Sequence, residues 1–267
     1  MKYLIKFISI LVIVNMNFWS CSEASANGSF SIVLSGSMHG QLDPCGWKKN
    51  PLGGLSRRYV KIKEMKEAGK DPIIVDAGDL FFSTKNLNNT NRKSEIYRAK
   101  SILEGFNKIG CDAINIGQYE ILNGLKFLKE LTRDNNIPFI SANLRDSKTS
   151  ELLFRPYQII EKNQLKFGII GVTNLLPDTC KTIISENFVD AGNKYVKELL
   201  DQTDFLIMLV NADRASQVDI TSKFPQVDFI ITSGSTNMSR ANSPQKEKGP
   251  YFYSCGKQGK HLLVIEG

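Results

Sequence analysis

From Phe30 to Ile265 this chain alternates short apolar runs with longer segments of helical period, and that alternation limits its fold more than any other feature. Residues 30–34, 72–76, 113–116 and 138–141 are short, rich in Ile, Val and Phe, and read as buried strands. Residues 157–160 and 165–171 read as a hairpin turning near Asn163, and runs at 205–210, 228–232, 251–254 and 261–265 add further strands. Helical period marks residues 55–68, closed by Gly69, and 94–109, stopped by Gly110. It recurs at 122–133 and 193–201, with a weaker patch at 214–223. A chain built this way predicts an α/β protein whose sheets are covered by helices. No internal repeat or low-complexity linker divides it, and the polar loop at 83–93 is expected to be its most mobile element.

The first twenty residues are addressing rather than fold. Lys2 and Lys6 precede an apolar run from Ile8 to Val14, too short for a comfortable membrane span and arranged as an export signal. A small residue then precedes Cys21, followed by a polar tether at 21–28, which resembles a bacterial lipobox despite the bulk of Phe18 and Trp19. The expectation is a signal peptide at 1–20, lipidation of Cys21, and a folded domain at 29–267 in the periplasm or at the cell surface. Export leaves Cys45, Cys111, Cys180 and Cys255 in an oxidising compartment, where one or two disulfides are allowed. Losing Lys2 and Lys6 with the leader lowers the net charge from +7 to a mild +5. No Arg/Lys stripe interleaved with aromatics is present, which argues against a nucleic-acid partner. The basic stretch from Lys48 to Lys63 reads first as a solvated helix face, with anionic lipid or a phosphorylated ligand as the alternative.

In sheets fed by helical crossovers, chemistry sits just beyond the carboxyl ends of the strands. Here those ends are Ser35 to Gly40, Asp76 to Asp79, Gly117 to Glu120, Asn211 to Asp213 and Ser233 to Asn237, each polar or glycine-rich. Only two histidines, His39 and His261, exist in the whole chain, so a centre needing three or four imidazoles cannot be built. The five cysteines form no C-x-x-C pair either.

Taken in order, these tips resemble the calcineurin-like metallophosphoesterases, within them the exported 5'-nucleotidase and UDP-sugar hydrolase type. The residues that carry the resemblance are Ser37-Met38-His39-Gly40, Gly53-Gly54-Leu55-Ser56-Arg57-Arg58, Asp76-Ala77-Gly78-Asp79, Gly117-Gln118-Tyr119-Glu120, Ala142-Asn143-Leu144, Asn211, Gly234 to Asn237, and Gly256 to Gly259. The match runs from about Phe30 to the end and has no counterpart of the family's C-terminal specificity domain. The resemblance implies a sandwich of two mixed β-sheets flanked by helices. It also implies a pair of divalent metals that activate a hydroxide for in-line attack on phosphorus.

The departures from that pattern carry the functional reading. His39 and Asp79 match ligand positions. Ser37 stands for an aspartate, Gln118 for an asparagine, Tyr119 for the catalytic histidine, and Asn211, Ser235 and Asn237 for three imidazole ligands. Neutral hydroxyls and amides hold transition metals poorly, and a phenol near pKa 10 is a poor acid or base at neutral pH. Two dications held by one certain carboxylate repel each other at a cost of several kcal/mol, so no dinuclear centre is expected. At most one divalent metal binds weakly at His39 and Asp79, helped by Glu120 or Asp76; otherwise both residues serve as structural hydrogen-bonding groups in the old cleft.

Ser37 or Ser235 as nucleophile lacks a base other than His39, and no G-x-S-x-G elbow exists. Cys45 reads as a buried thiol or half of a disulfide, and His261 as packed or surface-exposed. Arg57 and Arg58 could hold phosphate at a helix start, though a surface role is the simpler expectation. The leading functional expectation is a non-catalytic, lipid-anchored envelope protein that uses the degenerate cleft for a phosphorylated ligand or a partner. A phosphoesterase with a reduced metal site is the alternative.

Overall fold

The structure is a computed structural model and describes residues 28–46, 49, 51–133, 135–235, 237–239 and 248–267. The expected signal peptide at 1–20, Cys21, and the tether at 21–28 apart from Gly28 lie outside the described residues. In chain order the elements are β1 (Ser31–Ser35), α1 (Leu55–Glu67), β2 (Ile73–Asp76), α2 (Arg92–Ile109), β3 (Ala113–Asn115), α3 (Gln118–Ile121) and α4 (Gly124–Arg133). There follow β4 (Phe139–Ile140), β5 (Leu144–Asp146), β6 (Tyr157–Lys162), β7 (Leu165–Thr173), β8 (Ile183–Ser185) and α5 (Phe188–Leu199). The last are β9 (Phe205–Ala212), α6 (Ile220–Lys223), β10 (Phe229–Gly234), β11 (Tyr251–Ser254) and β12 (Leu263–Glu266).

Two five-stranded sheets result, ordered β12-β1-β2-β3-β4 and β11-β10-β9-β7-β6. Both are mixed: β12 runs antiparallel to β1 and β6 antiparallel to β7, while the remaining neighbours are parallel. Strand periodicity assigns each face. Ile32, Leu34, Ile73 and Val75 point inward with Ile207, Leu209, Phe167 and Ile231, forming a core between the sheets. Their alternates Val33 and Ile74 pack outward with Ile102 and Phe106 of α2. On the other sheet Met208, Val210 and Ile230 pack with Val196 and Leu199 of α5. Burying each such side chain contributes about 1.5–3 kcal/mol, so three clusters of this kind define a four-layer αββα sandwich.

Several expectations need adjustment. The patch at 214–223 is helical only from Ile220 to Lys223. Asp213 instead draws the Ser216 N–H onto its carboxylate at 2.8 Å, and Asp219 takes a left-handed φ of 53°, so the helix cannot start sooner. The helix expected at 193–201 begins at Phe188, because the Asn187 side chain caps Val189 and Asp190. The small antiparallel ribbon of β5 and β8 was not expected. Cys45, Cys111, Cys180 and Cys255 are free thiols, so the disulfides that they would allow are not formed among them. Loop 83–93 is laced to itself and to α2: Glu95 accepts from both the backbone and the hydroxyl of Ser83 at 2.7 Å, and Asn86, Asn88, Thr90 and Asn91 bond among themselves. Among the described residues no helix is long and apolar enough to cross a membrane.

Candidate functional site

Because their central strands run parallel, the sheets deliver their carboxyl ends to one place, and short polar bonds cross between them there. The Ser233 hydroxyl donates to the Ala77 carbonyl at 2.6 Å, and the Asn115 amide donates to Ala77 and Val172 at 3.2 and 3.0 Å. The tips after β1 and β2 form a ladder of their own: Ser37, His39 and Gly40 N–H groups donate to Gly78, Asp79 and Leu80 carbonyls at 2.8–2.9 Å. Ser37, His39 and Asp79 all adopt positive φ, at 52°, 48° and 62°. Three non-glycine residues in the left-handed region side by side mark a strained, over-determined site.

Glu120 holds that site together. Its carboxylate, fully buried, accepts from the Asp79 and Gly117 N–H groups at 2.9 and 2.8 Å and from Leu80 at 2.5 Å. Burial and then the Asp79 charge push its pKa up, against the pull of those three donors. Asp76 is similarly engaged, accepting from the Ser35 hydroxyl and the Gly78 N–H at 2.6 and 2.8 Å. Both carboxylates, which the sequence offered as helpers to a metal at His39 and Asp79, thus bind the backbone of their own loops.

The remaining cleft residues are committed as well. Asp79, 1% exposed, accepts from the Tyr119 N–H at 3.1 Å and from the Asn211 side chain; burial raises its pKa to about 6. Asn211 accepts from the Thr173 hydroxyl and the Gln118 N–H at 3.1 and 3.2 Å, and donates to Ser233 at 2.7 Å. The Ser37 hydroxyl accepts from Gly234 N–H at 3.0 Å. Gln118 donates to the Leu176 carbonyl at 3.1 Å while its own carbonyl oxygen has no partner. Ser235 and Asn237 lie exposed at the rim. His39 packs its ring on Tyr119, its buried Nε2 has no partner, and burial, with Lys257 and Lys85 nearby, lowers its pKa to about 4. Burial, then Asp79, raises the phenol of Tyr119. Lys85 Nζ lies 5.8 Å from the centre of the Tyr119 ring. Neither cleft lysine was singled out by the sequence.

A dinuclear metal pair does not fit this set. Two dications 4 Å apart repel by on the order of 15 kcal/mol at an effective dielectric of 20. The donors facing them would be one carboxylate already bonded to two N–H groups, one imidazole, and hydroxyls and amides that are themselves engaged.

Arg57 and Arg58 part company. Arg57 is exposed and donates to the Pro51 carbonyl. Arg58 is 7% exposed, which corrects the expectation of a surface role: it shares with Ile62 the buried face of α1 and lies 5.9 Å from the centre of the Phe106 ring.

The sequence is 33% identical over 212 residues to a 5'-nucleotidase of Vibrio parahaemolyticus, covering 79% of this chain and 34% of that protein. It is 29% identical over 272 residues to a snake venom 5'-nucleotidase of Gloydius brevicauda, covering 93% of this chain and 45% of that one. The calcineurin-like phosphoesterase YfkN of Bacillus subtilis superposes with a TM-score of 0.71 at 20% identity, over 90% of this chain and 84% of that one. The chain is a 5'-nucleotidase homologue with a calcineurin-like phosphoesterase fold. No family model matches it. The homologue spans less than half the length of these two nucleotidases, aligning with 34% and 45% of them.

Proposed function

We propose that this homologue is an exported, lipid-anchored and non-catalytic member of its fold, which binds a phosphorylated ligand through the degenerate cleft. The observation that carries the reading is the engagement of Ser37, Asp79 and Asn211 in hydrogen bonds with Gly234, Tyr119 and Ser233 of neighbouring tips. A donor set bound to its own scaffold stabilises the cleft rather than a metal pair. Positive charge at the mouth comes instead from Lys85 and Lys257, both close enough to lower the pKa of His39. Ammonium groups attract phosphate oxyanions but activate no water for attack. The expected anchor rests on Cys21 and the leader ahead of it.

A phosphoesterase with a reduced metal site is the competing reading. It draws on the nucleotidase relatives and on the two unpartnered atoms, His39 Nε2 and Gln118 Oε1. Metal analysis of the exported protein separates the two. The proposal expects under one equivalent of Mn, Fe or Zn and no EDTA-sensitive hydrolysis of AMP or p-nitrophenyl phosphate. Near-stoichiometric paired metals, or turnover abolished by Asp79→Ala, would establish the competitor. The anchor predicts palmitate incorporation that Cys21→Ala abolishes; labelling that survives the substitution sinks it.

A further inference from the structure

Away from the cleft, a cavity of about 460 Å³ opens where the amino end of α1 meets the segment leading into β12. Its wall includes Gly53, Gly54, Arg57, Arg58, Lys61 and Lys260. None of them belongs to the cleft around His39 and Asp79.

The chain leaves this helix end open. Gly54 holds the N-cap position, so no side chain caps α1, and no acidic residue stands in the first turn. Leu55 N–H donates to the Leu42 carbonyl and Arg58 N–H to Gly54, while those of Ser56 and Arg57 have no acceptor among the described residues. A Cβ on Gly53 would stand 2.5 Å from the Gly259 carbonyl oxygen, so the two walls meet through bare backbone. Arg57, Lys61 and Lys260 add positive charge. One carboxylate, Glu64, lines the cavity, and Lys61 pairs with it at 3.2 Å.

Arg58 decides what the cavity is for. Its side chain is 7% exposed and forms part of the wall, yet it makes no hydrogen bond or ion pair with any described residue. Its guanidinium lies 5.9 Å from the centre of the Phe106 ring, within the field of Asp76, Cys255 and Cys111. A guanidinium carries five donors, and no described residue accepts from these. Burial accordingly pushes its pKa below the ordinary arginine value, and Asp76 counters only from beyond ion-pair distance. An oxyanion in the cavity would accept from Arg58 and from the free N–H groups of α1 at once.

We infer that this cavity is a second site, which takes the phosphate group of a phosphomonoester or of a lipid headgroup. Its volume exceeds that of a phosphate, leaving room for the attached organic part.

The test uses the full exported chain carrying Cys21→Ala, so that no acyl chain contributes to membrane binding. Calorimetric titration with inorganic phosphate and glycerol phosphate is run beside sedimentation with phosphatidylcholine vesicles, with and without phosphatidic acid. Saturable binding to the soluble phosphates assigns a small phosphorylated ligand; binding only to the phosphatidic acid vesicles assigns a headgroup. In either case Arg57→Ala with Lys260→Ala should weaken the interaction at least tenfold, and Arg58→Met should abolish it. The double variant changes only side chains outside the core, so it decides the matter if Arg58→Met does not fold. Lys85→Ala with Lys257→Ala removes the lysines on which phosphate binding in the cleft would rest, so the comparison is made in that background, where binding at the α1 cavity should persist within twofold. No binding to either probe, no effect of the double variant, or loss of binding in the cleft variant instead, overturns the assignment.

Discussion

The imidazole of His39 meets the Tyr119 ring edge to face, with 4.4 Å between centroids and 80° between planes. One ring comes from the tip after β1 and the other from the tip after β3, so their contact joins two loops that only the tertiary fold brings together. Burial at this contact, with Lys257 and Lys85 nearby, sets the protonation state of His39. A ring buried against an aromatic, with two ammonium groups in its field, is held neutral.

That neutrality predicts an acid-sensitive stability. The unfolded chain protonates His39 near its ordinary pKa of 6.5, whereas the folded chain does so near 4. Above pH 6.5 both states are neutral and the group contributes no slope. Between 6.5 and 4 the unfolded state takes the proton first, so stability falls as pH falls, and below 4 the contribution is flat. The loss integrates to about 3 kcal/mol, at about 1.4 kcal/mol per pH unit. Urea melts in EDTA buffer at stepped pH should show this component, and His39→Asn should remove it. Proton NMR that places the His39 titration near 6.5 would refute the account.

Glu120→Gln should cost about 2–4 kcal/mol. One carboxylate accepts three backbone N–H groups here, and an amide has a single oxygen to offer them. Its NH₂ would face donors, leaving at least one of them buried and unsatisfied at about 1–3 kcal/mol. The expected observation is a lower urea midpoint at unchanged m-value. A loss below 1 kcal/mol would mean that the three bonds do not hold the tips.

How far the sequence discloses all this differs by residue. Strands such as β7 and β9 were legible because burial on both faces leaves a near-continuous apolar run. β5 and β8, three residues each, carry no period to read. The tips were legible as positions but not as bonds: nothing local tells Asn211 that its partners are Thr173, Gln118 and Ser233. Two signals were present in the chain. Glu120 stands three residues after Gly117, the spacing of a capping box. Arg58 falls three after Leu55 and four before Ile62, on the apolar stripe of α1 rather than its solvated face. The charge of Arg58 disguised its place, because a lone buried guanidinium is rare.

Gly117→Ala should destabilise the protein by about 1–3 kcal/mol through crowding alone. The backbone at Gly117 is extended, at φ −98°, so any residue could adopt it. Space is the constraint: a Cβ would stand 2.7 Å from both the Asp79 amide nitrogen and its carboxylate, and 2.8 Å from the Asn211 amide. Gly124→Ala is the matched control, since its Cβ would meet nothing within 4 Å and only a positive φ of 84° opposes it. Thermal melts should rank Gly117→Ala below Gly124→Ala. The reverse order would show that the cleft yields to the extra atom.

An imidazole placed at Asn211, where the resemblance puts a metal ligand, should not create a metal site. The Asn211 side chain is fully buried and satisfied on every side, accepting from Thr173 and Gln118 and donating to Ser233. A histidine ring is larger than this amide, and at most one of its nitrogens could accept where the amide oxygen accepts twice. Crowding costs about 1–3 kcal/mol and each orphaned donor about 1–3 kcal/mol more. Asn211→His is therefore expected to lower the melting temperature and to bind no more Mn or Zn than the parent chain, as measured by metal analysis after dialysis. A variant that gained a stoichiometric metal without losing stability would mean that the cleft accommodates a metal ligand at this position, and the non-catalytic reading would fall with it.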